Sequence, residues 1–253
     1  MTNRLSSRLV KGGALLDDTR RLVDAWDSTA DRDENLRRMT DQNLLGKPSR
    51  SRSDDVLGRV LRPRFVEPGP QVICALKALL DHPATFVEAC YYETSREDAL
   101  LASFAEGPFF DWYQEGRVGV TPEDVTGWLA ALVRVGKVPA WSENLLERVA
   151  QGILATLRDF RVLEGGVRKE YAVPRMTPNG FAYVAFREHE QGASSRALFT
   201  SSVWRRWLLD TTRVAELFNQ AERIGVLRFS QAGSAVRVDW QVDSLEEVAR
   251  AAA

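Results

Sequence analysis

Residues Thr211 to Trp240 read TTRVAELFNQAERIGVLRFSQAGSAVRVDW, and this stretch decides the character of the chain's end. Thr211-Thr212 caps a helix in which Val214, Leu217, Phe218, Ala221 and Ile224 recur at three- and four-residue spacing, until Gly225 ends it. Val226-Leu227-Arg228-Phe229 and Val236-Arg237-Val238-Asp239-Trp240 then read as two strands around the turn Gln231-Ala232-Gly233-Ser234. A helix followed by a hairpin is the order of the recognition helix and wing in a winged-helix module, although any helix-hairpin element shares it. On this reading Arg213, Asn219, Gln220 and Arg223 share the helix with Glu216 and Glu222, while Arg228 and Arg237 sit on the hairpin. Ser244 opens a short terminal helix.

Upstream, helix follows helix. Leu15, Leu16, Thr19, Leu22, Val23 and Trp26 have helical spacing, and Ser28, Thr29 and Asp31 offer caps for a second helix with Leu36, Met39, Asn43 and Leu44. Gly46-Lys47-Pro48-Ser49 breaks that helix, and a third begins near Ser51 or Ser53, to be stopped or kinked at Pro63. Glu67-Pro68-Gly69-Pro70 is a turn, Gln71–Leu80 an apolar helix, and Pro83 opens the next, with Thr94-Ser95-Arg96-Glu97 reading as a cap. Thr121-Pro122-Glu123-Asp124 is a sharp helix start, and Ser142 opens a helix through Leu146, Val149, Ile153, Leu157 and Phe160. After Gly165-Gly166, Val167–Val173 alternates weakly like a strand, and Thr177-Pro178 starts another helix. The expectation is a mostly α protein in three regions: an N-terminal helical region 1–66, a central bundle 67–165 and a winged-helix-like module 166–253.

The chain of 253 residues carries 34 Lys and Arg against 35 Asp and Glu, a net charge of -1 that taken alone argues against a bulk polyanion binder. Segment by segment the balance is a cancellation. Residues 1–64 are net +4, 81–130 net -8, 131–209 net +5 and 210–253 net -2. The first excess lies wholly in Lys47–Arg64, where six cations face Asp54 and Asp55. Lys47-Pro48-Ser49-Arg50-Ser51-Arg52 therefore reads as a phosphate-contacting loop feeding a helix, with Arg59 and Arg62 beyond it, or else as a solvated basic loop. Arg205 and Arg206 between Trp204 and Trp207 form a second candidate, with core packing of the two tryptophans as the competing reading. The acidic block includes Tyr91, Tyr92, Phe109, Phe110, Trp112 and Tyr113, either a docking face for a basic partner or core aromatics.

Catalytic patterns are missing: no phosphate loop, dinucleotide fingerprint, zinc-protease helix or nucleophile elbow. His82 and His189 read as a helix-end and a solvated side chain, so neither a metal site nor an enzyme is expected, and no cofactor. Cys74 and Cys90 read as buried thiols rather than a disulfide pair. Arg4, Arg8 and Lys11 precede no apolar run long enough for a signal peptide or a membrane span, which points to a cytoplasmic protein.

Three passages resemble one family. Ser7–Trp26 (SRLVKGGALLDDTRRLVDAW) followed by Asp41–Arg52 (DQNLLGKPSRSR) is similar to the start of BrxA, a component of BREX phage-defence systems, and Ile224–Arg237 (IGVLRFSQAGSAVR) is similar to its ending. The order Asn-Leu-Leu, then Lys, then Ser and Arg is the most specific part. The resemblance implies an N-terminal helical bundle like that of NusB, nucleic-acid binding rather than catalysis, and other BREX proteins as partners. Double-stranded DNA is the expected ligand, held mainly by its backbone. A protein-interaction scaffold and an RNA binder are the alternatives.

Overall fold

The structure, a computed structural model, describes residues 5–7 and 9–251; Arg4 and Arg8 lie outside them. It is mostly helical, with five short strands: β1 Gly119–Val120, β2 Leu163–Glu164, β3 Lys169–Tyr171, β4 Leu227–Ala232 and β5 Ala235–Trp240. The chain forms two units, and each of the three consecutive regions read from the sequence contributes to both.

The larger unit takes Leu15–Glu93, Met176–Ser201 and Thr211–Ala253. Its first helix, Leu16–Ala25, buries Leu22 and Val23, and its second, Arg32–Asp41, is capped by Asp31, which accepts from Glu34 N. Ser49, rather than Ser51 or Ser53, caps the third helix, Arg50–Val56. Pro63 does not stop this helix. The chain instead widens into a π-helical stretch over Leu57–Val66, closed by Glu67 N donating to Arg62 O at 2.9 Å. Proline has no N–H to give and its ring crowds the preceding turn; the looser five-residue repeat relieves both problems. The apolar helix Pro70–Ala78 packs against Leu16–Ala25 and the terminal helix Leu245–Arg250, which Ser244 caps as expected.

The end of this unit is three helices and a hairpin: Pro178–Glu190, Ser195–Phe199, Thr211–Arg223, then β4 and β5. Phe181 and Phe199 meet Phe218 at 4.7 and 6.1 Å, Phe229 of β4 stacks on Phe218 at 4.8 Å, and Phe186 meets Trp240 of β5. The aromatic contacts thus draw on all three helices and both strands. The hairpin is antiparallel with Leu227 opposite Trp240 and Ala232 opposite Ala235, leaving a tighter turn, Gly233-Ser234, than the four residues expected. Period-two alternation puts Leu227, Phe229, Val238 and Trp240 on one face and Arg228, Arg237 and Asp239 on the other.

The smaller unit takes the described residues of Met1–Ala14 with Thr94–Arg175 and Ser202–Asp210. Thr94-Ser95-Arg96-Glu97 does not act as a cap. The helix begun at Pro83 runs on through Glu97, and Asp98 caps the next, Ala99–Phe104, accepting from Leu100 N and Leu101 N. Thr94 and Ser95 are buried, so the polar run that looked like a helix start belongs to a helix interior. Helix Pro122–Arg134 has the expected start: Thr121 accepts from Asp124 N and Asp124 reciprocates on Thr121 N. It packs on helix Glu143–Asp159. The strand expected within 167–173 is β3, which pairs with both β1 and β2. Those two are too short to show any alternation in sequence. A Cβ at Gly119 would collide with the Lys169 carbonyl, so the close approach of β1 to β3 requires glycine there.

Among the described residues no helix is long and apolar enough to cross a membrane, and no group of three or more His, Cys, Asp or Glu is placed to hold a metal ion. Cys74 and Cys90 are free thiols; Cys90 is buried and Cys74 only half-buried.

Candidate nucleic-acid interface

The basic segment Lys47–Arg64 resolves into cations with different fates. Lys47 Nζ lies 2.6 Å from Asp18 Oδ1, whose side chain is 8% exposed, so this lysine neutralises a buried carboxylate. Arg64 is buried. Ser49 spends its hydroxyl as the helix cap, accepting from Arg52 N at 3.2 Å. Ser51 and Arg52 lie exposed on the first helical turn. Arg50 meets Asp41 at 3.1 Å, Arg59 meets Asp55 at 3.1 Å one turn back, and Arg62 meets Glu67 at 3.2 Å. These three pairs are solvent-facing; such pairs contribute roughly 0–1 kcal/mol and exchange readily for another anion.

Arg50 and Arg62 open onto one cleft of about 360 Å³, between helix Arg32–Asp41 and the continuous helix that begins at Arg50. Arg37 joins them from the first of these helices, with Asp41 and Asp54 as the acids of the lining and Leu36 and Leu57 as its aliphatic part. Arg62 Nε is buried and makes no hydrogen bond, its approach to Glu67 lacking the necessary alignment. Arg37 was not among the residues singled out from the sequence. The signal was present: Leu36, Arg37, Thr40 and Asp41 follow i, i+1, i+4, i+5 spacing, which puts Arg37 and Asp41 on one helix face.

On the three-helix-and-hairpin end, Arg213 is exposed and pairs with Glu216 at 3.2 Å. Arg237 pairs with its strand neighbour Asp239 at 2.7 Å, and Arg228 is exposed directly across from Asp239. One acid thus sits between two cations on the outward hairpin face. Arg196, also exposed, lies on the short helix Ser195–Phe199, whose Ser195 hydroxyl accepts from Val238 N of β5 at 3.1 Å. Sequence reasoning passed over Arg196 because nothing local ties that helix to the hairpin.

Arg205 and Arg206 belong to the smaller unit. Arg206 is 11% exposed, held by Glu106 at 2.6 Å and donating to the Ser95 hydroxyl at 2.9 Å. Arg205 is exposed, with its guanidinium 5.0 Å from the Phe110 ring centre. Trp204 and Trp207 are core residues. Of the six aromatics singled out in the acidic block, Tyr91, Tyr92 and Phe109 are fully buried; Phe110, Trp112 and Tyr113 are half-exposed, Trp112 under Arg117 at 4.7 Å. His189 is exposed and stacks on Trp240 at 5.6 Å.

Three shifted titrating groups lie in the interior rather than at these cations. Burial pushes the Tyr92, Tyr183 and Cys90 protons to higher pKa, and the Glu93 carboxylate adds to the shift at each. None of the three lines the cleft.

A family model described as BrxA matches residues 3–188. No curated protein matches the chain.

Proposed function

The chain belongs to the BrxA family and is therefore a component of a BREX phage-defence system, and from that premise we propose that it is a non-enzymatic accessory protein that binds double-stranded DNA, mainly through the phosphate backbone. The observation that carries this reading is the state of the arginines in the larger unit. Arg50, Arg59, Arg62 and Arg237 are held only by solvent-facing carboxylates, Arg213 pairs with the exposed Glu216, and Arg52 and Arg228 are exposed. A phosphate can replace each weak partner at little cost, and every replacement releases counterions. Lys47 and Arg206 are excluded from this set because each neutralises a shielded acid.

The order of three helices and a hairpin supports a winged-helix-like module, with helix Thr211–Arg223 toward a groove and Arg228 and Arg237 toward the backbone. Glu216 and Glu222 on that helix favour backbone contacts over base reading. Duplex binding followed by fluorescence anisotropy at about 50 and about 200 mM salt tests the proposal, with a steep loss of affinity expected at the higher salt. The Arg50→Glu/Arg52→Glu protein should bind several-fold more weakly. Absence of wild-type binding at the lower salt refutes the reading, and equal binding by the variant refutes the site. Competition with RNA duplexes distinguishes an RNA ligand.

A scaffold role is the second reading, favoured by half-exposed Phe110, Trp112 and Tyr113 among the acids of the smaller unit. Trp112→Ala and Phe110→Ala should then weaken co-purification of another BREX protein while leaving DNA affinity unchanged.

A further inference from the structure

We infer that the cleft of the larger unit, bordered by Arg37, Arg50 and Arg62, is a pocket for one unpaired nucleotide, taking its phosphate on the arginines and its base against Leu36 and Leu57. This deepens the nucleic-acid reading, and rests on it where the nucleotide belongs to a strand. Three observations lead there. The cleft, at about 360 Å³, falls within the size range of small-ligand pockets, so it exceeds what a single phosphate oxygen contact would need. Its lining carries both signs of charge: Asp41 and Asp54 stand with the three arginines. A bare polyanion is poorly matched by such a lining, because each carboxylate repels it. A nucleotide matches both parts, since its phosphate accepts from guanidinium groups while the amino edge of adenine, cytosine or guanine donates to a carboxylate. Finally, the guanidinium groups are weakly held: Arg50 is paired with the exposed Asp41 at 3.1 Å and Arg62 with the exposed Glu67 at 3.2 Å. An arriving phosphate can take over either pair at little cost.

Leu57 is 4% exposed and anchored in the core, so the floor is rigid. Gly58 beside it leaves space over the cleft: a Cβ there meets nothing within 4 Å. Gly58→Leu therefore adds bulk to the cleft lining at a position where a Cβ meets no neighbour.

The test is calorimetry of the full-length protein with the four common nucleoside monophosphates, inorganic phosphate, a nucleoside and a simple dipeptide. The expected result is monophosphate binding at least about tenfold tighter than inorganic phosphate or the nucleoside, since two parts of the ligand contribute. Gly58→Leu, with its melting temperature checked against wild type, should lose at least about tenfold, and Arg62→Gln should lose affinity for the monophosphate but not for the nucleoside. Equal binding of inorganic phosphate, preference for the dipeptide, or no monophosphate binding overturns the inference. A duplex with one unpaired nucleotide, compared with its fully paired counterpart, separates the two sources: preference for the former assigns a strand nucleotide, and no preference alongside monophosphate binding assigns a free one. Paired-duplex binding without any monophosphate binding defeats this inference alone; monophosphate binding without duplex binding defeats the DNA reading alone.

Discussion

Glu93 is a carboxylate with no solvent exposure, reached by Arg187 Nε at 2.8 Å and by the Tyr183 hydroxyl at 3.0 Å. Arg187 in turn donates to Glu190 at 2.7 Å. A buried charge survives only when it is paired and hydrogen-bonded, so the cost of breaking this group is high. Arg187→Met should destabilise the protein by about 3–5 kcal/mol in urea unfolding, because Glu93 keeps its burial and loses its counter-charge. Burial, reinforced by Glu93, raises the Tyr183 pKa well above 10.0, and burial raises Tyr92 as well. The folded state therefore holds these protons after the unfolded chain has lost them. Their contribution is fully present below about pH 10, the unfolded value, and is lost as pH rises beyond it. The urea midpoint should fall at strongly alkaline pH, and Tyr183→Phe should make that fall shallower. None of this was legible in sequence, where Glu93 and Arg187 are 94 residues apart and each looks like an ordinary charged helix residue.

Whole elements followed local rules closely. Helix Pro122–Arg134 starts where Thr121, Pro122 and Asp124 say it should, since every bond of that cap is made within four residues. Thr121→Ala should cost about 1 kcal/mol by loss of the cap, read as a lower melting temperature. The long helix after Ser49 shows where local reading stopped. Pro63 signals a break, yet the chain stays helical with a π-type repeat, and Val60, Leu61 and Phe65 are packed in the core. The hairpin was legible because turn residues and alternation agree, and its partners were not. Phe218→Ala should cost about 3–5 kcal/mol, since Phe218 is fully buried against Phe181, Phe199 and Phe229. On the hairpin's outer face, Arg228→Glu/Arg237→Glu should leave melting unchanged and weaken duplex binding several-fold. Unchanged binding would remove the hairpin from the interface.

At the scale of the whole chain, a net charge of -1 conceals blocks of opposite sign, and the fold thins the basic ones further. Each arginine that contacts a phosphate should lower the salt slope of binding by about 1 unit when replaced. Arg52→Gln should do so, and Lys47→Gln should instead reduce stability by leaving Asp18 unpaired.

The sequence by itself determined the helical class, the terminal hairpin, most helix starts and the family, because periodicity, caps and turns act over a few residues. It also located the basic segment. Only the tertiary structure decided which cations remain available, since Lys47 is neutralised by Asp18 and Arg206 by Glu106, 100 residues away. It likewise decided that Arg37 shares a cleft with Arg50 and Arg62. Charge is carried by single residues, but its availability depends on distance and burial, and both are set by parts of the chain that no local pattern relates.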